Sequence, residues 1–347
     1  MCSGSKRQRK IREWIGILML LLALFIAPPP VAAQLSTNAP DAKQSTPQAL
    51  TPVVFLPHWI PQAQFAGYYM ALEKDFYQKE GLDVTILDGG PNKPVDKALK
   101  NGETTFASHF LSSALKLRDE GMPVVHLAQI TQRSALLLVA RKSSGIHSVQ
   151  DLDGKRVSLW SSFSAQPNAL FRKYNLHVET ITQGPTINLF LRGGVDAVSA
   201  MWYNEYHLLL NSGLNEDEMT VFFYDKYDLN FPEDCLICTE QTWRTRPDDC
   251  RKFVRASLAG WDYVQKHREE ALQLVMRRIT QARTGSNRAH QRWMLNRMCE
   301  LITPVLPGSA PGDLAPEAYA TMVRELKNSG EITNAPSYEN FHVRTQP

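Results

Sequence analysis

The sequence predicts an α/β protein of two units, the second inserted into the first, and three observations predict it. From Pro52 onward, short apolar runs alternate with segments of helical spacing. The alternation restarts at Leu136 as a second, smaller series. Beyond Leu236–Thr239 the chain becomes largely helical. Such alternation builds mainly parallel sheets covered by helices, because parallel neighbours need a crossover long enough to hold a helix.

The elements follow in order. Val53–Leu56 is a short apolar strand. Phe65–Lys79 has helical spacing and stops at Gly81. Leu82–Leu87 is the next strand, and Lys93–Asn101 a short helix ended by Gly102. The strand Thr105–Ala107, the helix Ser112–Glu120 and the strand Val124–Ile130 complete the first series. Leu136–Ala140 is wholly apolar, as suits a buried strand. Gly154 turns the chain into the strand Arg156–Trp160. A helix near Ala165–Tyr174, a strand near Val178–Ile181, a helix near Thr186–Arg192 and the strand Ala197–Met201 follow. The closing helices are Pro247–Lys266, Arg268–Arg278, Arg288–Leu301 and Pro316–Ser329. Two inserted α/β units imply a cleft between them, and ligands bind in such clefts at the C-terminal ends of strands.

The first 33 residues read as a secretory signal peptide. Lys6, Arg7, Arg9, Lys10 and Arg12 form a basic region, Trp14–Ala27 is apolar, and Val31-Ala32-Ala33 supplies small residues for cleavage near Ala33. The apolar run falls short of the roughly 20 residues that span a bilayer; an uncleaved anchor helix is the alternative. Residues 34–51, rich in Ser, Thr, Pro, Gln and Ala, read as a flexible linker. An exported protein has no ATP supply and little access to cytosolic cofactors, which weighs against most enzyme classes. The chain's net charge of +3 is carried by the leader, leaving a body near −1. A near-neutral body argues against nucleic-acid binding, which needs a basic face.

Four cysteines remain after the leader: Cys235, Cys238, Cys250 and Cys299. In an oxidising compartment an even number allows one or two disulfides. Cys235 and Cys238 have the spacing of a redox or metal half-site, but no second pair or nearby His completes one. Buried, structural or disulfide-bonded cysteines are the plainer expectation.

Five stretches carry a resemblance: His58–Gly90, Gly102–Ala140, Asp151–Trp160 ("DLDGKRVSLW"), Leu191–Gly213 and Pro247–Val275. Together, in order and spacing, they resemble extracytoplasmic solute-binding proteins related to the thiamine-pyrimidine synthase family. The resemblance implies a type II periplasmic-binding-protein fold. It places one lobe at 52–138 plus 236–347 and the other at 139–235, with a hinge of two strands near Leu136–Ala140 and Leu236–Thr239. It implies a binder of a small heteroaromatic solute, a pyrimidine precursor of thiamine first, that hands it to the membrane permease of an ABC importer. No cofactor is expected, and a monomer is. A sulfonate, nitrate or taurine binder, or a periplasmic sensor, is the alternative within the same fold.

Candidate ligand residues sit at the predicted strand ends. Trp59 offers a face for stacking. Gln62 and Gln64 can hydrogen-bond a neutral ring or cap the following helix. Tyr68 faces either cleft or core. Ser108 and His109 lie just beyond the third strand, and Trp160 closes a strand of the second unit ahead of Ser161 and Ser162. Trp202, Asn204 and Glu205 belong to the "MWYNE" run after Ala197–Met201. Glu205 can accept hydrogen bonds from an aminopyrimidine edge, or simply start a helix.

The related eukaryotic enzyme builds the pyrimidine with a pyridoxal-phosphate lysine, a histidine four residues later, and a Cys-rich iron motif. Alignment on Gly121–Pro123 puts His109 at the lysine position and Ser113 at the histidine position, and Asp228–Pro232 contains no Cys. A Schiff base needs an amine, so that activity is not expected here. No Ser-His-Asp order, metal-binding helix or Gly-rich phosphate loop suggests another chemistry.

Overall fold

A computed structural model describes residues 49–304 and 308–345. The leader and its cleavage site lie outside the described residues, as do residues 34–48 of the linker. Its last residue, Thr51, already pairs with Leu82 in a strand.

Ten strands form two five-stranded sheets among the described residues. In chain order they are β1 (Thr51–Leu56), β2 (Leu82–Ile86), β3 (Phe106–Phe110), β4 (Val124–Gln129), β5 (Leu136–Arg141), β6 (Arg156–Leu159), β7 (Glu179–Thr182), β8 (Ala197–Met201), β9 (Met219–Phe223) and β10 (Asp234–Thr239). The first sheet has the order β2-β1-β3-β10-β4 and the second β7-β6-β8-β5-β9. In each, the three strands on one side run parallel and one strand out of chain order lies antiparallel: the late β10 between β3 and β4, and the early β5 between β8 and β9. Burial on both faces explains why β5 reads as an unbroken apolar run.

The two predicted hinge strands each lie inside a sheet. The chain crosses between the sheets just before them, through residues 130–135 and 224–233. The crossings touch: Ile130 N–H donates to Asp234 O at 2.8 Å and Ser134 N–H to Asn230 Oδ1 at 2.9 Å. β3 also runs further than expected, so Ser108 and His109 are strand residues opposite Leu236 and Cys235. Their polarity hides a strand that β10 completes from more than 100 residues away. The segment expected as one helix breaks into Ala66–Glu73 and Phe76–Lys79 at Asp75, which adopts a left-handed conformation at φ 58°. β9 and the helix Glu205–Asn211 are additions to the predicted elements.

The helices Pro247–Lys266 and Pro316–Asn328 each begin on a proline, which has no N–H to leave unpaired in the first turn. Helix Pro247–Lys266 packs on Ala66–Glu73 with almost no gap. A Cβ on Gly260 would lie 2.1 Å from Gly67 O, and one on Gly67 would lie 2.3 Å from the Trp261 ring. This contact seats the loop that follows β1.

All four cysteines are buried and free. Cys235 and Cys238 are three apart on β10, so they point to opposite faces. Cys235 packs with Leu56 and Leu111, Cys238 with Cys250 and Phe253. The half-site spacing in the sequence is therefore a strand packing into two cores.

Candidate functional site

The C-terminal ends of β1 and β3 in the first sheet, and of β6 and β8 in the second, carry the candidate residues. The loop after β1 is held from beneath by Gly89, where a Cβ would lie 1.9 Å from Pro57 O. That approach is open only to glycine. Trp59 stands out from this loop, 41% exposed. Gln62 and Gln64, in contrast, turn inward and are buried. Neither caps the helix. Gln62 Nε2 donates to Gln64 Oε1 (2.6 Å), and Gln64 Nε2 donates to Asp234 Oδ2 (2.8 Å) and Oδ1 (3.1 Å) and lies 3.2 Å from Tyr203 OH. Their amides thus satisfy a buried acid, which has first claim on them because an unpaired buried carboxyl is costly.

Tyr68 belongs to the core. It is 1% exposed and its ring packs 4.6 Å from Phe55, because the first turn of Ala66–Glu73 faces the sheet. Ser108 is fully buried and is committed to His58: its Oγ accepts His58 N–H at 3.0 Å and lies 2.9 Å from His58 Nδ1. With His58 Nε2 3.9 Å from Asp234 Oδ1, a Ser-His-Asp series does exist in space. It has no nucleophile to offer, since its serine has no exposed surface. Burial, with His109 nearby, holds His58 well below its usual range. Burial also brings His109 down to about 4. Its Nδ1 is shielded and without a partner. Burial pushes the Asp234 carboxyl up to about 7, against the opposing bond from Gln64.

On the second sheet, Trp160 is half-buried and its Nε1–H reaches Gly184 O at 3.3 Å. Trp202 and Asn204 fold against the helix Arg288–Leu301. Trp293 Nε1–H donates to Trp202 O (2.9 Å), and Arg297 lies 4.7 Å over the Trp202 ring. Asn204 Oδ1 meets His290 Nε2 at 2.8 Å, and His207 Nδ1 meets His290 Nδ1 at 2.9 Å. Both Glu205 oxygens stay within its own turn, accepting Met201 N–H (3.0 Å) and Asn204 Nδ2–H (2.7 Å). Burial raises its pKa while these bonds oppose the rise. The opposite flank is tied by Arg172 to Glu325 (2.7 Å) and Ser164 Oγ to Glu331 (3.0 Å).

The site thus brings Gln62, Gln64 and Ser108 into one buried network, and Trp202 and Asn204 into a clasp with the helix Arg288–Leu301, while Glu205 holds Asn204 from its own turn. Sequence reasoning missed His58, Tyr203, Gln166, Glu233 and Asp234. The run "NFPEDC" held the clue: two acids opening an apolar strand are costly unless something answers them.

The family model described as NMT1/THI5 like matches residues 62–271. Riboflavin-binding protein RibY of Chloroflexus aurantiacus is 26% identical over 285 residues, covering 78% of this chain and 79% of that protein. The formylaminopyrimidine-binding protein of Halalkalibacterium halodurans is 24% identical, covering 75% and 77%. A 4-amino-5-hydroxymethyl-2-methylpyrimidine phosphate synthase of Saccharomyces cerevisiae, THI11, is 22% identical, covering 61% and 66%. Among solved structures, the periplasmic aliphatic sulphonate binding protein SsuA of Escherichia coli superposes with a TM-score of 0.65 at 14% identity, covering 84% of this chain and 97% of that one. The two-sheet architecture is the one shared with periplasmic binding proteins.

Proposed function

The chain belongs to the NMT1/THI5 like family, and from that premise we propose that it is the extracytoplasmic solute-binding component of an ABC importer. Its solute is a small nitrogen heterocycle, a pyrimidine precursor of thiamine by first choice. The observation that carries this reading is that the segments after the strand ends of the two sheets touch, Gln64 Nε2 lying 3.2 Å from Tyr203 OH and Lys116 Nζ 3.2 Å from Ser162 O, with Trp59 exposed, Trp160 half-buried and a satisfied polar network around Asp234. Two relatives whose names state a bound heterocycle support it.

The mechanism is binding without chemistry. The two crossings act as the hinge, and the half built on the first sheet and the half built on the second close on the solute. A solute contacting both halves favours the closed arrangement by its difference in affinity for the two states. Trp59 and Trp160 supply ring faces. Glu205 and Asn204 brace the rim from behind. The closed protein, a monomer exported by its leader, delivers the solute to a permease. A pyrimidine-synthase activity lacks its amine, since His109 and Ser113 stand at the lysine and histidine positions.

A thermal-shift screen of pyrimidines, riboflavin, sulfonates and nitrate tests the reading, since a ligand of the native state raises its melting point. A shift with 4-amino-5-hydroxymethyl-2-methylpyrimidine is expected. A shift with a sulfonate or nitrate alone would overturn the heterocycle.

A further inference from the structure

Glu233 ends the second crossing, next to Asp234, and is 7% exposed. Its two oxygens have opposite fates. Oε1 accepts Ala135 N–H and Leu136 N–H, each at 2.8 Å, and Ser134 Oγ lies 3.1 Å away. Oε2 is buried with no hydrogen-bond partner. Glu233 borders a cavity of about 20 Å³, lined also by Ser112, Leu136, Phe163, Gln166 and Phe231. Its wall comes from the first turn of the helix after β3, from the start of β5, from the turn and helix after β6, from the second crossing, and from the helix Pro316–Asn328 and Glu331, so the cavity lies between elements of the two halves. A space of that size takes about one water-sized body. A space that small admits no more than a single edge atom of a solute.

We propose that Glu233 Oε2 is a ligand contact of the cleft, donating a hydrogen bond to a ring nitrogen of the bound heterocycle. The inference rests on the importer reading and names one recognition group within it. A buried polar atom without a partner is costly to keep, and a ring-nitrogen acceptor satisfies it. Gln166 is already committed: its Nε2–H donates to Leu229 O at 2.6 Å, and its Oε1 faces Ser134 Oγ at 3.1 Å. Burial pushes the Glu233 carboxyl up to about 8, against the two backbone N–H bonds and with Asp234 adding to the rise. Near neutral pH the acid therefore keeps its proton. With Oε1 filled by donors, that proton sits on Oε2, where it can be given to an acceptor.

Calorimetry on the full-length mature protein tests this with two probes. One is 4-amino-5-hydroxymethyl-2-methylpyrimidine, the other the aminobenzyl alcohol of the same shape without ring nitrogens. Wild type is expected to prefer the pyrimidine by at least tenfold. Glu233→Gln keeps an N–H donor in place and should stay within threefold of wild type. Glu233→Met should lose at least tenfold for the pyrimidine and bind both probes alike. A general loosening of the crossing would weaken both probes equally and keep the preference, which overturns the contact. Loss in Glu233→Gln as deep as in Glu233→Met overturns the donor role. A wild type that binds no pyrimidine removes the importer reading for this solute, and the inference with it.

Discussion

Replacing Asp234 by Asn isolates the buried acid that Gln64 serves. In the folded protein this carboxyl titrates at about 7, against an ordinary value of 3.8. The folded state thus holds the proton more tightly than the unfolded one. Stability from this group is complete below about pH 4 and is lost as pH rises toward 7. Between pH 5 and pH 7 the loss is about 2 kcal/mol, at 1.36 kcal/mol per pH unit of difference. The buried histidines His58, His109 and His126 act in the other direction: their lowered values remove stability as pH falls below about 6.5. The comparison is therefore made between proteins, not between pH values alone. Asn keeps an acceptor for Gln64 Nε2 but cannot ionise. Urea unfolding followed by tryptophan fluorescence should show the stability of Asp234→Asn relative to wild type rising by about 2 kcal/mol from pH 5 to pH 7. Parallel pH profiles for the two proteins would refute the argument, because they would mean that Asp234 ionises as freely in the fold as outside it.

Three other outcomes follow from the geometry. Gly260→Ala should lower stability by about 1–3 kcal/mol by overpacking against Gly67 O, read as a reduced urea midpoint; an unchanged midpoint would mean that the two helices can separate freely. His290→Ala removes the contacts to Asn204 and His207. The ligand-free protein should then show a larger radius of gyration by small-angle X-ray scattering, and an unaltered radius would place the clasp elsewhere. Trp59→Ala should leave the melting temperature nearly unchanged, since the ring is exposed, yet weaken pyrimidine binding about threefold to tenfold; equal calorimetric affinity would remove Trp59 from the site.

Much of the architecture was legible because it rests on local pattern. The strand Ala197–Met201 and the helices Pro247–Lys266 and Arg288–Leu301 have the bounds that their periodicity implies. What escaped depends on contacts distant in sequence. β3 reads as three residues until β10 pairs with Ser108 and His109. Gln64 reads as a ligand donor until Asp234, 170 residues later, is seen to occupy its amide. Tyr68 was ambiguous because a short helix near a sheet edge does not announce which face is covered. The leader lies outside the described residues, so its reading stands on the sequence alone.

The placement of β10 sets an order of assembly. Every strand of the second sheet comes from one continuous stretch, 136–223, so that half can complete itself as soon as it is available. The first sheet cannot. β3 and β4 are made early, but the strand that belongs between them arrives more than 100 residues later. Until it does, two apolar strands have an unfilled gap between them, the kind of late, long-range pairing that slows folding and exposes edges to aggregation. A truncation ending before Asp234 should therefore yield one well-formed half and one that never closes.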